Sequence, residues 1–275
     1  MNDRPWATAA SEPERWAGYF EPGTQILRNL ADPPATSAVD LQRFEDDRSE
    51  FRMVQLRVHP IAGNFDLEHL QAIHRHLFQD VYPWAGELRT VGISKGERSM
   101  PDGTTAKAGF LPIEHAPFVV NGTAAELRQE NYLRGLSNEQ FADRLAVHLN
   151  AVNEAHVFRE GNGRAARALW DQLAEQADHV IHWRAISAEV NVRISHEARV
   201  NGNLEPLRST LRAIVSDAGE QSRTLKATEA ARLATMDSPT RPGVATSTGY
   251  GTSTGYSSGA YRPDRGSEPT SGIGR

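Results

Sequence analysis

Within one short run, His156-Val157-Phe158-Arg159-Glu160-Gly161-Asn162-Gly163-Arg164-Ala165-Ala166-Arg167, the chain gathers an imidazole, a carboxylate, a Gly-Asn-Gly turn and two guanidinium groups. Each residue type suits a phosphate-bearing substrate. Small residues let successive backbone N–H groups turn inward into an anion-binding concavity, and the Ala-rich helical run behind them adds its positive dipole end. Gly161, Asn162 and Gly163 are therefore a candidate phosphate cradle. Arg164 and Arg167, three apart, project from one side of that helix, where planar guanidinium forks can grip phosphate oxygens. Histidine, with an ordinary pKa near ~6.5, can take a proton from an attacking hydroxyl at neutral pH, which makes His156 the natural general base. A lone carboxylate beside phosphates suits Mg²⁺, so Glu160 is the candidate metal ligand. Phe158, between the two, is expected to point into the core. Gly-Asn-Gly alone is more often an ordinary turn; the combination around it singles out this one.

The run resembles the signature loop of the Fic family, His-x-Phe-x-[Asp/Glu]-Gly-Asn-Gly-Arg-x-x-Arg, and matches it at every fixed position. Val157 stands where the family usually has proline, a difference in loop stiffness that touches no reactive group. A second stretch, Tyr82-Pro83-Trp84-Ala85-Gly86-Glu87-Leu88-Arg89, is similar to the Tyr-x-Trp-Ala-Gly-x-x-Arg segment that the family often carries upstream. The resemblance implies an all-α fold, a Fic-type helical bundle with a β-hairpin, the flap, inserted over the active site. It implies transfer of AMP from ATP, with Mg²⁺, to a Tyr, Thr or Ser hydroxyl of a target protein. In that scheme His156 deprotonates the hydroxyl, Glu160 holds Mg²⁺, Gly161 to Gly163 cradle the phosphates, and Arg164 and Arg167 neutralise the leaving pyrophosphate. Ser94, Lys95 and Gly96 would lie near the nucleotide, and the target would dock at the flap by strand pairing. Transfer of phosphate or phosphocholine by the same fold, and an idle nucleotide-binding module, remain as alternatives.

Many Fic proteins are held inactive by a Ser/Thr-x-x-x-Glu-Gly/Asn helix whose glutamate pairs with the second arginine. Here only Thr8–Glu12, followed by Pro13, and Ser216–Glu220, followed by Gln221, have the first part of that spacing, and neither completes the motif. The expectation is control in trans by a small antitoxin-like protein, with Glu220 as the alternative in cis.

The elements that must position this loop follow from apolar spacing. Residues 37–58 hold no Gly or Pro and carry Val39, Phe44, Phe51, Val54 and Val58 at roughly helical intervals. Asp66 caps a second helix to about Gln79 with Leu67, Leu70, Ile73, Leu77 and Phe78 inward. His69, His74 and His76 on it read as satisfied or surface histidines, since i and i+2 do not face each other on a helix. Residues 90–110 read as a hairpin around Pro101-Asp102-Gly103. A helix from Ile113 to about Leu133, interrupted near Asn121-Gly122, comes next. A heavily apolar one from Asn138 to Glu154, capped by Ser137, is the expected buried helix that delivers His156, with His148 a satisfied core residue. Residues 163–176 carry the arginines, and 186–199 and 204–217 complete the bundle.

The expected organisation is an irregular arm over 1–36, packed on the body around Trp16 to Leu30; the Fic domain over 37–218 with its flap at about 90–110; a C-terminal helix over 219–236; and a disordered Gly/Ser/Thr-rich tail over 237–275. The net charge of −5 and pI near 6.1 disfavour nucleic acid and anionic membrane as partners. With no cysteine, thiolate catalysis and Cys–zinc sites are excluded. No signal-like segment and no run approaching ~18 apolar residues occurs, so a soluble protein is expected, cytoplasmic or delivered into the cytoplasm of a target cell.

Overall fold

The computed structural model describes residues 4–100 and 104–236. The expected tail (237–275) and the flap tip (101–103) lie outside the described residues. The order is α1 (Pro5–Thr8), α2 (Glu12–Gly18), α3 (Ala38–Val58), α4 (Leu67–Phe78), β1 (Ser94–Ser99), β2 (Thr105–Gly109), α5 (Ala116–Gln129), α6 (Asn138–Ala155), α7 (Asn162–Gln176), β3 (His179–Ile181), α8 (Ala188–Asn201), α9 (Glu205–Ile214), β4 (Val215–Asp217) and α10 (Gly219–Thr235).

The centre is α6. Ser137 accepts from the backbone of Gln140 while Gln140 reaches back to the Ser137 N–H, a complete capping box. Phe141, Leu145, Ala146, Val152 and Ala155 then bury one after another, and α5, α7, α8 and α9 pack around them. A large apolar helix buried on most sides cannot move without disturbing the core, which suits an element that must hold a reactive side chain at its end. Ser37 caps α3, and Asp66 caps α4 as expected. On α3, Phe51 and Val54 are buried, but Val39 in the first turn is exposed. Helical spacing marks a face and does not say how far along it the neighbouring elements reach.

Three other expectations are corrected. α5 runs unbroken through Asn121 and Gly122. Val120, Thr123 and Ala124 bury around them, which outweighs the ~1 kcal/mol that a mid-helix glycine costs, and the Asn121 side chain accepts from the first N–H of α4 at 3.1 Å. The last bundle helix stops at Ile214, because Val215, Ser216 and Asp217 pair antiparallel with Ile181, Val180 and His179. Strands of three residues are too short to show an alternation. The N-terminal arm is partly helical and already packs at Trp6, which is buried and whose Nε1 donates to Glu87 at 3.0 Å.

Candidate active site

α6 ends where His156 turns into the left-handed region (φ 43°, ψ 56°), its N–H still bonded to Val152 O at 3.2 Å. A side-chain-bearing residue persists there only if its surroundings impose it. Arg89 does so. Its Nε donates to the His156 carbonyl at 2.8 Å and its backbone N–H to Val157 O at 2.9 Å. The same buried guanidinium donates to Val91 O at 2.7 Å and to Leu111 O. One side chain thus ties the loop to the segments that enter and leave the flap.

The His156 Nδ1 lies 3.2 Å from the Asn153 carbonyl. A carbonyl can only accept, so Nδ1 carries the proton and Nε2 keeps its lone pair, the tautomer a general base needs. The ring is half-buried and stacked on Phe110, centroids 3.7 Å apart. Burial lowers its pKa from 6.5 to about 3; the Asn153 contact opposes this, and the charges of Lys95, Arg89 and Arg199 reinforce it. Lys95 is therefore within electrostatic reach of the imidazole.

The rest of the loop is held residue by residue. Phe158 is fully buried and stacks on His74 at 3.8 Å. Because the Gly86 N–H donates to His74 Nδ1 at 2.8 Å, its Nε2 carries a proton and donates to the Glu160 carbonyl at 2.9 Å. Burial keeps this imidazole neutral, with its pKa lowered to about 3. Arg159 is buried, with its guanidinium over the rings of Trp16 (4.5 Å), Phe20 (5.4 Å) and Tyr19 (5.6 Å) from the N-terminal arm. Glu160 stays partly exposed and accepts from the Gly161 N–H at 3.1 Å.

Gly161 opens α7 at φ 80°, and a Cβ there would lie 2.4 Å from the Phe78 ring, so only glycine fits. Asn162 turns inward: its Oδ1 accepts from Phe158 N at 2.9 Å and its Nδ2 donates to Phe158 O at 2.8 Å. It shapes the cradle with its side chain and offers it only backbone. No side chain caps α7, which leaves the opening of a 15-residue helix to an anion. The Arg167 guanidinium lies over Gly163, its Nη1 3.6 Å from where a Cβ would stand.

The two arginines differ. The Arg164 Nη2 donates to Glu45 of α3, its Nη1 donates to Ser49 Oγ at 3.2 Å, and the group rests over the Phe78 ring at 4.8 Å. The sequence expectation that both grip phosphate meets a structure in which Arg164 is already engaged.

Over the site, β1 and β2 pair antiparallel, Glu97 opposite Lys107 and Ser99 opposite Thr105, with an irregularity between Ser94 and Glu97. Gly96 sits there at φ 77° against His196. Arg199 of α8 donates to Lys95 O at 2.7 Å and Gly109 O at 3.0 Å and lies 4.3 Å over Phe110, the ring that stacks on His156. Beside β2 a cavity of about 580 Å³ is lined among others by Glu12, Trp16, Lys107, Phe110 and Glu114.

Among the described residues one trio of metal-ligand type stands elsewhere, Glu126, Glu130 and His148. Arg144 engages both oxygens of Glu130, and His148 Nε2 lies 3.2 Å from one of them. His148 is thus a core histidine satisfied at Nε2 only, since its buried Nδ1 has no hydrogen-bond partner and lies 3.8 Å from Glu126.

Arg89, His74, Arg159, Arg199 and Glu45 were not among the expected site residues. Arg89 and Arg159 lie in stretches already marked by their resemblance, Arg159 at a position that the signature leaves open; the others carry no local signal, since their partners are distant in sequence.

The model of the Fic/DOC family matches residues 64–174. The probable protein adenylyltransferase Fic of Salmonella typhimurium is 32% identical over 74% of this chain and 94% of its own length. The protein adenylyltransferase VbhT of Bartonella schoenbuchensis is 33% identical over 70% of this chain and 38% of its own length. Among solved structures, BepC of Bartonella tribocorum with bound AMPPNP superimposes with TM-score 0.63 at 28% identity, covering 72% of this chain and 96% of that one. The N-terminal Fic domain of a Bep effector of Bartonella quintana with bound ADP gives 0.64 at 26%, covering 74% and 97%. The chain belongs to the Fic/DOC family.

Proposed function

We propose that this chain is a protein adenylyltransferase that moves AMP from ATP to a Tyr, Thr or Ser hydroxyl of a target protein. The observation that carries the reading is the His156 tautomer: Nδ1 is committed to Asn153 O, so Nε2 keeps its lone pair, a few residues ahead of the glycine-rich opening of α7. The hydroxyl oxygen attacks the α-phosphorus of ATP, its proton passes to Nε2, and pyrophosphate leaves. With a pKa near 3 the resting imidazole is neutral and ready to accept a proton. The negative charge of a bound triphosphate raises that value and strengthens the base.

The phosphates lie against backbone N–H groups at the opening of α7, with Gly161, Asn162 and Gly163 forming the turn and Arg167 beside it. Ser94, Lys95 and Gly96 border the nucleotide from the flap. Glu160, partly exposed and clear of ion pairs with α3, fits Mg²⁺, which takes one or two carboxylates and completes its shell with phosphate and water. When bound, the ion offsets charge developing on the leaving phosphates.

The target segment docks on the exposed strands of the flap. We place control in trans, through a small inhibitory protein; the Glu220 side chain lies outside the described residues. No helix of the described residues is long and apolar enough to cross a membrane, and we place the reaction in a cytoplasm, the cell's own or a target cell's.

The test is incubation of the full chain with Mg²⁺, cell lysate and ATP labelled at either the α- or the γ-phosphorus. Label from the α position on a protein band is expected; label from the γ position only, or nucleotide binding without transfer, overturns the reading.

A further inference from the structure

Arg164 pairs with one carboxylate and lies in the field of others. Glu45 on α3 is buried at 4% exposure and pairs with it directly, and the negative charge of Glu160 also acts on it. The guanidinium is enclosed by Ser49, the Phe78 ring and Asp46, whose carboxylate is 3.8 Å away. Tyr82 is buried alongside, its hydroxyl kept protonated by burial and by the charges of Glu45 and Glu160. Burial pushes the Glu45 carboxyl up while Arg164 draws it down; the same surroundings hold Arg164 firmly charged.

An arginine in this position has two destinations. If it left Glu45 for a phosphate, it would strand a buried carboxylate in the core, a strongly unfavourable exchange. If Glu45 were neutral, the carboxylates left acting on the guanidinium would be Asp46 on α3, 3.8 Å away and half exposed to water, and Glu160 on the site side, and a charged bidentate donor would be free to turn to Glu160. A carboxylate paired with arginine is a poor ligand for a divalent cation, because its charge is already offset.

We propose that Glu45 is a positioning residue for the metal–nucleotide site: by engaging Arg164 it keeps that cation off Glu160, so the Glu160 carboxylate stays available for Mg²⁺ and Arg167 is the arginine that meets the outer phosphates. The inference rests on the nucleotide site described under the proposed function. It assigns Arg164 a supporting role in place of the phosphate grip expected from its spacing.

The experiment reads binding, so that it is independent of transfer. Binding of AMPPNP to the full chain is measured by calorimetry across a Mg²⁺ titration for wild type, Glu45→Gln, Arg164→Met, Arg167→Met and the double variant Glu45→Gln/Arg164→Met, each checked for a cooperative melt. In Glu45→Gln the Mg²⁺ concentration for half-maximal enhancement of binding is expected to rise about ten-fold, since Arg164 now competes for Glu160. The double variant leaves neither buried charge unpaired and is expected to return to within about three-fold of wild type. Arg164→Met alone is expected to bind the analogue nearly as wild type does, and Arg167→Met at least ten-fold more weakly.

Unchanged Mg²⁺ dependence in folded Glu45→Gln overturns the proposal, as does a double variant as impaired as Glu45→Gln. A ten-fold loss of analogue binding in Arg164→Met would show that Arg164 grips phosphate after all; this arm decides the matter if Glu45→Gln does not fold. Failure of wild type to bind AMPPNP at all would instead sink the nucleotide-site reading, whereas binding without AMP transfer from labelled ATP sinks only the reaction.

Discussion

The loop at 156–167 and the flap at 94–109 face the same chemistry and are built in opposite ways. Along the loop, His156, Phe158, Arg159, Glu160 and Arg164 are each held by side chains from other parts of the chain: Arg89, His74, the aromatic rings of the arm, and Glu45. Along the flap, strand side chains other than Ala108 are exposed or nearly so, and the hydrogen bonds from Arg199 and His196 of α8 go to backbone carbonyls. Proton transfer and charge stabilisation need groups already in place before reaction, which a packed and hydrogen-bonded loop supplies. Recognition of an extended segment by strand pairing needs exposed backbone, and side chains buried on the flap would add nothing to it.

The contrast can be broken at its strongest point first. His156→Ala is expected to lower AMP transfer by ~10²–10⁴-fold while leaving ATP binding nearly intact, because the imidazole acts on the incoming hydroxyl. Labelling with α-labelled ATP, set beside calorimetric ATP binding, checks both halves. Retained activity would remove His156 from the chemistry and with it the reason for so rigid a loop.

Arg89→Met is expected to cost about 10²-fold in transfer and several kcal/mol in stability, since the His156, Val91 and Leu111 carbonyls lose their donor at once. Thermal melting together with turnover of the folded fraction tests this. A variant that melts lower yet turns over normally would show that the left-handed turn at His156 needs no brace.

Arg199→Ala belongs to the flap side and should separate the two regions. Target modification is expected to fall about ten-fold through the apparent affinity for the target, with ATP binding weakened by less, because the Arg199 guanidinium holds the backbone carbonyls of Lys95 and Gly109 and covers the Phe110 ring. If ATP binding falls as much as target modification does, loop and flap act as one unit and the comparison fails.

The smallest effect concerns acid. The folded pKa of His74 lies near 3 against 6.5 for the free imidazole, so its neutral form contributes stability that is complete above about pH 6.5 and is lost as pH falls towards 3. From pH 7 to pH 5 the loss is about 2 kcal/mol for such a group. His74→Gln is expected to flatten that part of the stability curve measured by urea unfolding. An unchanged slope would mean that His74 is protonated in the folded protein and does not donate to Glu160 as a neutral ring.

Much of this was open to reading in the chain itself. The caps Asp66 and Ser137, the apolar faces of α4 and α6, and the run from His156 to Arg167 all depend on neighbours a few residues away, where spacing and side-chain chemistry decide the outcome. So does the need for glycine at 161, a position whose backbone turn is local even though the ring of Phe78 that forbids a Cβ is not. The continuity of α5 through Gly122 and the pairing of 179–181 with 215–217 were settled otherwise, by packing and by a strand partner far along the chain.

The same line divides the active site. Residue types and spacing determined that an imidazole, a carboxylate and a glycine-rich turn would stand together. They could not tell Arg164 from Arg167, which look alike at i and i+3. Only the approach of α3, with Glu45 separated from Arg164 by most of the domain's length, sends one guanidinium into the core and leaves the other over Gly163. An ion pair of that kind is specified by three-dimensional distance and by the cost of burying either charge alone, and neither quantity is written in the order of the residues.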